Sequence, residues 1–315
     1  MIQQSTRSVP REDLGVAFHE YDPAADGFVG EIALPPIPVG KKAATMGVIT
    51  RENLKRADSN HANGAGFNRV NLISEDKSYK CKDHGLEIPL TDEDRATYET
   101  DYSAEYESVQ SVTRKMFIER EIRVKDALFN TTTFTGADLY TDVSGTPWDA
   151  AGSDAIGHIR AAIKKVLANT GVMPDTMLIG LQTLENICLN TALLARFPGV
   201  QILTKQMIEQ SIAAIVGLQN IIVGWAGYDS ANEGQVYSSG TIWDDDYALI
   251  YKRHTGGRAT PGLGRIVEWT GIQNGRDQVV QYREEQTESD IYRVRDFSYE
   301  WIFDAYFGHL LKVDA

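Results

Sequence analysis

The sequence predicts an α+β protein in which extended pieces surround one compact block. Three observations predict it. Residues 91–129 carry a helical period with no Gly or Pro before Gly136. Residues 136–260 alternate short helices and strands. Residues 262–313 are rich in β-branched and aromatic runs. A chain of 315 residues holds one large domain or two modest ones, and 42% apolar with 24% charged residues excludes wholesale disorder, collagen-like repeats and a coiled-coil rod. The longest apolar run, residues 212–218, stops at Gln219 and Asn220, too short to span a bilayer, so no membrane association is expected. No basic-then-apolar leader follows Met1, and Cys81 and Cys188 have no zinc or disulfide spacing, which predicts a chain that is not exported and sits in a reducing compartment.

Taken in order, residues 1–40 read as an arm. Pro10, Pro23, Pro35, Pro36 and Pro38 break any helical period, while Phe18, Phe28, Val29, Ile32, Leu34 and Ile37 predict that part of it docks on a surface. Residues 41–89 carry a basic excess and read as an extended ribbon: strands at 70–72 and 79–82 about a turn at 74–78, with a small polar loop at 59–66. So few apolar residues cannot bury a core alone, so the ribbon must lean on another surface. Residues 90–135 hold a helix entered through Thr91 with Asp92, Glu93 and Asp94 in its first turn. Its apolar positions are Tyr98, Tyr102, Tyr106, Val109, Val112 and Met116; unbroken, it would run roughly 58 Å. From 136 to 260, Ser153 is read as the cap of a helix over 154–169 ended by Gly171, followed by a strand at 176–180 and helices at 182–194 and 205–215. Strands follow at 221–223 and 247–251. Residues 261–315 read as strands at 265–269, 278–282 and 306–313.

Catalytic patterns are missing from this order. Gly262-Leu263-Gly264 lacks the third glycine and the helix of a dinucleotide fingerprint, and no phosphate loop, nucleophile elbow or HExxH motif occurs. The six histidines have no ligand spacing. Asp244-Asp245-Asp246 could gather a divalent ion, but an acidic turn before a strand is the preferred reading. Asn130-Thr131-Thr132 reads as a helix exit, and the tyrosine stripe as packing surface, since its flanks are acidic. No cofactor, metal or catalytic residue is expected. A net charge of −13 argues against tight binding of nucleic acid.

Leu86-Glu87-Ile88-Pro89-Leu90, followed by an acidic helix ending Glu121-Ile122-Arg123-Val124-Lys125-Asp126-Ala127-Leu128, resembles the strand-to-spine-helix passage of tailed-phage major capsid proteins of the HK97-like fold. Gly171-Val172-Met173-Pro174-Asp175-Thr176 with the strand and helix after it resembles that family's axial domain, as do residues 218–224, Ile242-Trp243-Asp244 and Ala248-Leu249-Ile250-Tyr251. The resemblance spans about residues 40–313 in element order and short motifs. It implies an N-terminal arm (1–40), an extended β-hairpin loop (41–89), the spine helix of a peripheral domain (90–135), an α+β axial domain (136–260), then peripheral β-sheet strands and a C-terminal strand (261–315). It implies a homo-oligomer of pentamers and hexamers closing an icosahedral shell around double-stranded DNA without sequence-specific binding, in a virion assembled in the host cytoplasm. A portal and an optional decoration protein are implied partners. Because the chain begins almost at the arm, a separate scaffolding protein is expected. The family's lysine–asparagine crosslink has no residue-by-residue match here and is not carried over.

Three rival readings stand beside it: an encapsulin-type compartment holding enzyme cargo, a carboxylate-dependent enzyme using Asp244 to Asp246, and a tail or decoration protein. Residues 41–82 hold nine Lys/Arg against four Asp/Glu, a local +5; residues 92–107 hold seven acids against Arg95, a local −6. The expectation is an intersubunit contact in which Lys41, Lys42, Arg51, Lys55, Arg56, Lys77, Lys80 and Lys82 of one copy face Asp92, Glu93, Asp94, Glu99, Asp101, Glu105 and Glu107 of another.

Overall fold

The computed structural model describes residues 9–11, 14, 22–48, 51–61, 63–64, 66–71, 73–98, 103–150, 152–190, 205–231, 234–257, 260–271 and 276–314. In chain order the arm contributes strand β1 (Val9–Pro10), a single helical turn α1 (Gly30–Ala33) and β2 (Pro36–Val39). β3 (Ala43–Val48) and β4 (Glu75–Lys80) form an antiparallel ribbon, and β5 (Lys82–Thr91) follows. Helices α2 (Asp92–Tyr98) and α3 (Ala104–Leu128) lead to β6 (Tyr140–Asp142), α4 (Ala155–Thr170), β7 (Thr176–Gly180), α5 (Leu181–Leu189) and α6 (Lys205–Val216). Strands β8 (Asn220–Gly224), β9 (Gly227–Asp229), β10 (Ser239–Thr241), β11 (Tyr247–Tyr251), β12 (Gly264–Trp269), β13 (Arg276–Glu284), β14 (Ser289–Ile302) and β15 (Gly308–Lys312) complete the chain.

Two sheets carry the architecture. The first runs β1-β13-β14-β12-β2, with β5 also paired to β14. The second runs β6-β15-β11-β7-β8. Period-two alternation sorts the second sheet's side chains to two faces. Met177, Ile179, Ala248, Ile250 and Leu311 pack with Ile159, Ile163, Leu184 and Ile212 of the covering helices. Leu178, Leu249, Tyr251 and Leu310 point the other way, into a core shared with Val109, Val112, Phe117, Val124 and Leu128 of α3, and with Ile266, Tyr292 and Val294 of the first sheet. Helix α3 is thus the element on which both sheets converge. Buried on both faces, the second sheet reads as continuous apolar runs rather than alternation.

Part of the arm docks: Phe28, Val29 and Leu34 join the shared core together with Ala33, β2 with Ile37 pairs in parallel with β12, and Ile32 is exposed instead. Phe18 lies outside the described residues. The expected single helix is instead two. α2 spans seven residues, and α3 restarts after Ser103, whose φ of −75° and ψ of 95° are extended. The 25 residues of α3 give a spine of about 37 Å rather than 58 Å. The side chain of Tyr98 and residues 99–102, including Tyr102, are not described; Tyr106 packs on the core. What fixes α2 locally is its start and its one arginine. The Thr91 hydroxyl accepts from Asp94 N (3.1 Å), and Arg95 donates to Asp290 (2.7 Å) and Tyr292 (3.1 Å) of β14.

The ribbon also differs. Residues 74–78, expected as a turn, lie largely inside β4, which pairs with Ala43–Val48 rather than with 70–72. Tyr79 and Cys81 decide the register by pointing into a small core with Trp301 and Phe297. The true tip is residues 51–74: a 3₁₀ turn at Arg51–Leu54, then exposed chain pinched where the Asn53 side-chain Oδ1 accepts from Ile73 N (2.9 Å). Residues 62, 65 and 72 of this region are not described.

Smaller corrections have local causes. α4 is capped by Asp154, whose carboxylate accepts from Gly157 N (2.9 Å), while Ser153 donates to the Thr146 carbonyl. Gly171 ends α4 with φ +72°, the left-handed conformation glycine adopts without strain. α5 stops at Leu189, since Asn190 is extended; residues 191–204 are not described. The last strand begins at Gly308 rather than 306, because Asp304 caps a 3₁₀ turn at Ala305–Phe307. β14, fourteen residues long and absent from the sequence reading, is the centre of the first sheet. Among the described residues, no helix is long and apolar enough to cross a membrane.

His309 sits fully buried in β15. Its Nδ1 donates to the Asp138 carbonyl (3.0 Å), so Nε2 is left to accept from Thr141 (2.9 Å) in the neutral ring. Burial pulls its pKa from 6.5 down to about 4. A His with a depressed pKa stabilises the fold fully above 6.5 and loses that contribution as pH falls toward 4. The chain should therefore lose up to about 3 kcal/mol over that window, read by urea titration at several pH values. His309→Gln should flatten that dependence. Limited proteolysis of free subunits should cut first within residues 59–66; first cuts between residues 155 and 189 would contradict this placement of the exposed loop.

Candidate assembly interface

Helix α3 carries two charged residues on its buried face, and they tie four parts of the chain together. Arg120 pairs with Glu268 of β12, Glu31 of α1 (3.4 Å) and Asp296 of β14 (3.8 Å). Burial opposes its charge, but these three carboxylates outweigh the penalty and raise its pKa. One turn on, Arg123 reaches Glu300 (3.0 Å) and the Ser298 hydroxyl (3.2 Å). Glu121 faces the arm and the second sheet. Its Oε1 accepts from Val29 N (2.7 Å), Gly30 N (3.0 Å) and Trp243 Nε1 (2.7 Å), and its Oε2 from Gly30 N (2.8 Å). Gly30 must be glycine for this: a Cβ there would stand 2.6 Å from the carboxylate.

On the outer surface the predicted contact residues divide sharply. Of the cations, Lys42 lies over the rings of Phe297 (4.9 Å) and Trp269 (5.7 Å), and Arg51 stacks 3.4 Å from the Tyr306 centroid. Lys77 donates to the Phe303 carbonyl, and Lys55 pairs with Glu52. Lys41, Arg56, Lys80 and Lys82 are exposed. Arg56 lines an open cavity of about 570 Å³ between the loop's limbs, together with Arg69, Asn68 and Asn71. The loop also exposes Phe67 (81%) and Val70 (74%), apolar area that its own subunit leaves in water.

Of the acids, Asp92 is held by both guanidinium nitrogens of Arg283 (2.6 and 2.5 Å), which lowers its pKa. Glu105 is shared by Arg11 (3.1 Å) and Arg95 (3.0 Å). Glu93, Asp94 and Glu107 are exposed; Glu99 and Asp101 lie outside the described residues. Among the described residues, no ion pair joins a cation of 41–82 to an acid of 92–107. The sequence reading missed Arg11 and Arg283 as partners of these acids, because they come from the arm and β13, far away in sequence. It also missed Arg120 and Glu121, although both fall in the apolar phase of the helix, three or four residues from Phe117 and Val124.

The acidic triplet is accounted for by structure. Asp244 pairs with Lys125 (3.3 Å), the Asp245 carboxylate accepts from Gln182 N at the start of α5, and the Asp245 carbonyl accepts from the Thr183 hydroxyl (2.6 Å). Burial raises the Asp245 pKa and the Gln182 amide pulls it back. Among the described residues, no group of three or more His, Cys, Asp or Glu is placed to hold a metal. Cys81 is a buried thiol, and burial pushes its pKa up to about 11.

Glu121 yields a test. Replacing it by Ala leaves three buried N–H donors unpaired and should cost about 3 kcal/mol or more in urea unfolding. Glu121→Gln should cost less, since one oxygen remains. Burial raises the Glu121 pKa above 4.5, so the folded chain takes up this proton first. Glu121 thus adds stability as pH falls through its raised pKa, and that gain should vanish in Glu121→Gln.

No family model matches the chain. It is 23% identical over 296 residues to the major capsid protein of Burkholderia phage BcepMu, covering 90% of this chain and 91% of that one. It is 23% identical over 233 residues to the major capsid protein of Pseudomonas phage JBD67, covering 71% and 72%. Among solved structures, a phage-related protein from Bordetella bronchiseptica RB50 superposes with a TM-score of 0.72 at 18% identity, covering 97% of each chain. The capsid of the cyanophage P-SCSP1u superposes at 0.57 with 9% identity, covering 100% of this chain and 91% of that one. The two sheets, the spine helix and the ribbon with its extended loop thus make up an HK97-like capsid fold, in a chain whose curated relatives are phage major capsid proteins.

Proposed function

We propose that this chain is the major capsid protein of a tailed phage, a structural subunit that assembles with copies of itself into an icosahedral shell around double-stranded DNA. The observation that carries the reading is the match to phage major capsid proteins along nine-tenths of both chains, at 90% and 91% coverage. The relatives' names favour a genome container over an enzyme-filled encapsulin shell. In this reading the first sheet with α3 forms the peripheral domain, the second sheet with α4 to α6 the axial domain, and pentamers and hexamers make up the shell. Assembly takes place in the host cytoplasm with a separate scaffolding protein and a portal, and a decoration protein is an optional further partner. A net charge of −13 suits a container that need not grip its DNA.

The loop at 51–74 supports the reading physically. It is basic, exposes Phe67 and Val70, and has almost no core of its own, as expected of a piece that is covered by a neighbour. The acids at Glu93, Asp94 and Glu107 are the matching surface in this proposal. Each exposed pair contributes at most about 1 kcal/mol, so the charges act on register and assembly rate rather than on gross affinity.

Chain co-expressed with its phage's scaffolding protein should form closed particles tens of nanometres wide by light scattering and negative-stain microscopy; a small soluble oligomer under those conditions would overturn the proposal. Reversing Arg56, Arg69 and Lys80 together to Glu should slow assembly at low salt while leaving the subunit's unfolding midpoint unchanged. Wild-type assembly should slow in the same direction as salt rises. Assembly of the triple variant at wild-type rate would remove electrostatics from the loop contact.

A further inference from the structure

Two chain crossings between the sheets, those that do not run through α3, are bonded to each other. Residues 252–263 carry the chain from β11 to β12, and residues 303–307 carry it from β14 to β15. Phe303 N donates to the Leu263 carbonyl (2.8 Å), Leu263 N to that of Lys252 (2.9 Å), and Lys252 N to that of Phe307 (2.8 Å). Together these bonds tie the two short crossings into one junction between the sheets.

The root of the exposed loop grips this joint on both of its limbs. Arg51 lies just past the end of β3. Its amide donates to the Asp304 carboxylate (3.3 Å), and its guanidinium stacks 3.4 Å from the Tyr306 ring centroid. The same carboxylate, 8% exposed, accepts from Tyr306 N (3.0 Å) through its other oxygen. On the other limb, Lys77 of β4 donates to the Phe303 carbonyl. Each limb is therefore fastened to the crossing itself, in addition to the ribbon's packing through Tyr79 on Trp301 (5.4 Å).

We infer that the crossing at 303–307 and the root of the loop form one mechanical unit, so that a shear between the two sheets turns the loop. The shared core around α3 limits this shear to a small displacement, which the length of the loop amplifies at its tip. The use of such a device, matching the loop's direction to the shape a subunit takes in a curved shell, rests on the proposed capsid function. The coupling itself is a property of the free chain.

Hydrogen exchange by mass spectrometry on the full chain tests it. Tyr306→Leu keeps apolar bulk but removes the ring under Arg51; it should speed exchange at residues 51–54 roughly threefold to tenfold. Arg51→Gln should speed exchange at residues 305–308 by a similar factor. The double variant should show no more than the larger single effect, since both changes break one contact. Arg56→Gln, which touches neither, should leave both segments at the wild-type rate. If Tyr306→Leu unfolds, Lys77→Met withdraws the second grip and should speed exchange at residues 303–308. Effects confined to the mutated side, or adding in the double variant, would overturn the inference. Failure to form shells with the exchange pattern intact would instead count against the capsid reading alone.

Discussion

Glu121 occupies the point at which this fold would otherwise come apart. A buried carboxylate that meets only water's absence is costly, and one that meets three N–H donors is a fastener. The donors come from the arm at Val29 and Gly30 and from Trp243, just ahead of β11 in the second sheet. Its neighbour Arg120 faces the other way, to Glu268 and Asp296 of the first sheet and Glu31 of the arm. Adjacent residues on one helix therefore fix the arm twice and each sheet once. Apolar packing around α3 supplies the larger share of the stability, but it does not dictate orientation. The directional bonds of this pair do, and they explain why charge is tolerated where the helix is buried.

A rigid centre has a functional counterpart in a loose periphery. Residues 51–74 hold one 3₁₀ turn, a pinch at Asn53 and Ile73, and exposed apolar side chains. A monomeric enzyme would gain nothing from such a loop and would risk aggregation through it. A subunit whose copies tile a shell gains contact area beyond its own core, and the cost of ordering the loop is met only when a neighbour covers it. The firm junction and the uncovered loop are thus two halves of one arrangement.

Much of this was legible in the residues. The second sheet's strands at 176–180 and 247–251 appear as short apolar runs bounded by turns, and Gly171 marks the end of α4 because only a left-handed residue fits there. The first sheet was harder to read. β14 places Arg293 and Arg295 opposite β5, where they pair with Glu87 and Asp83, so half its positions look like loop when read alone. The ribbon was misread for a related reason: Tyr79 and Cys81 find their apolar partners on β12 and β14, nearly two hundred residues or more away, so the register has no local signature. Ser103 gives no side-chain cap to announce the break before α3. Arg120 and Glu121 could have been found, since charges in the apolar phase of a helix demand buried partners.

The charge pattern shows how far a sequence count carries. Counted along the chain, residues 92–107 hold a local −6. In the fold, Arg283 cancels Asp92, while Arg11 and Arg95 share Glu105. Those pairs tie α2 and α3 to the first sheet and the arm, and a neighbour could claim them only by breaking contacts that hold the two helices in place. On the basic side, Lys42, Arg51 and Lys77 are likewise engaged with rings and carbonyls of the first sheet and its exit. What remains for another subunit is a smaller set at the loop's exposed tip and along the outer side of the helices. Few charges on an exposed loop give little affinity, because screening and side-chain entropy offset most of each pair. In the proposed contact they would still bias which orientation is sampled first, and in a shell of many identical contacts a weak orienting bias would let wrong contacts be undone before closure.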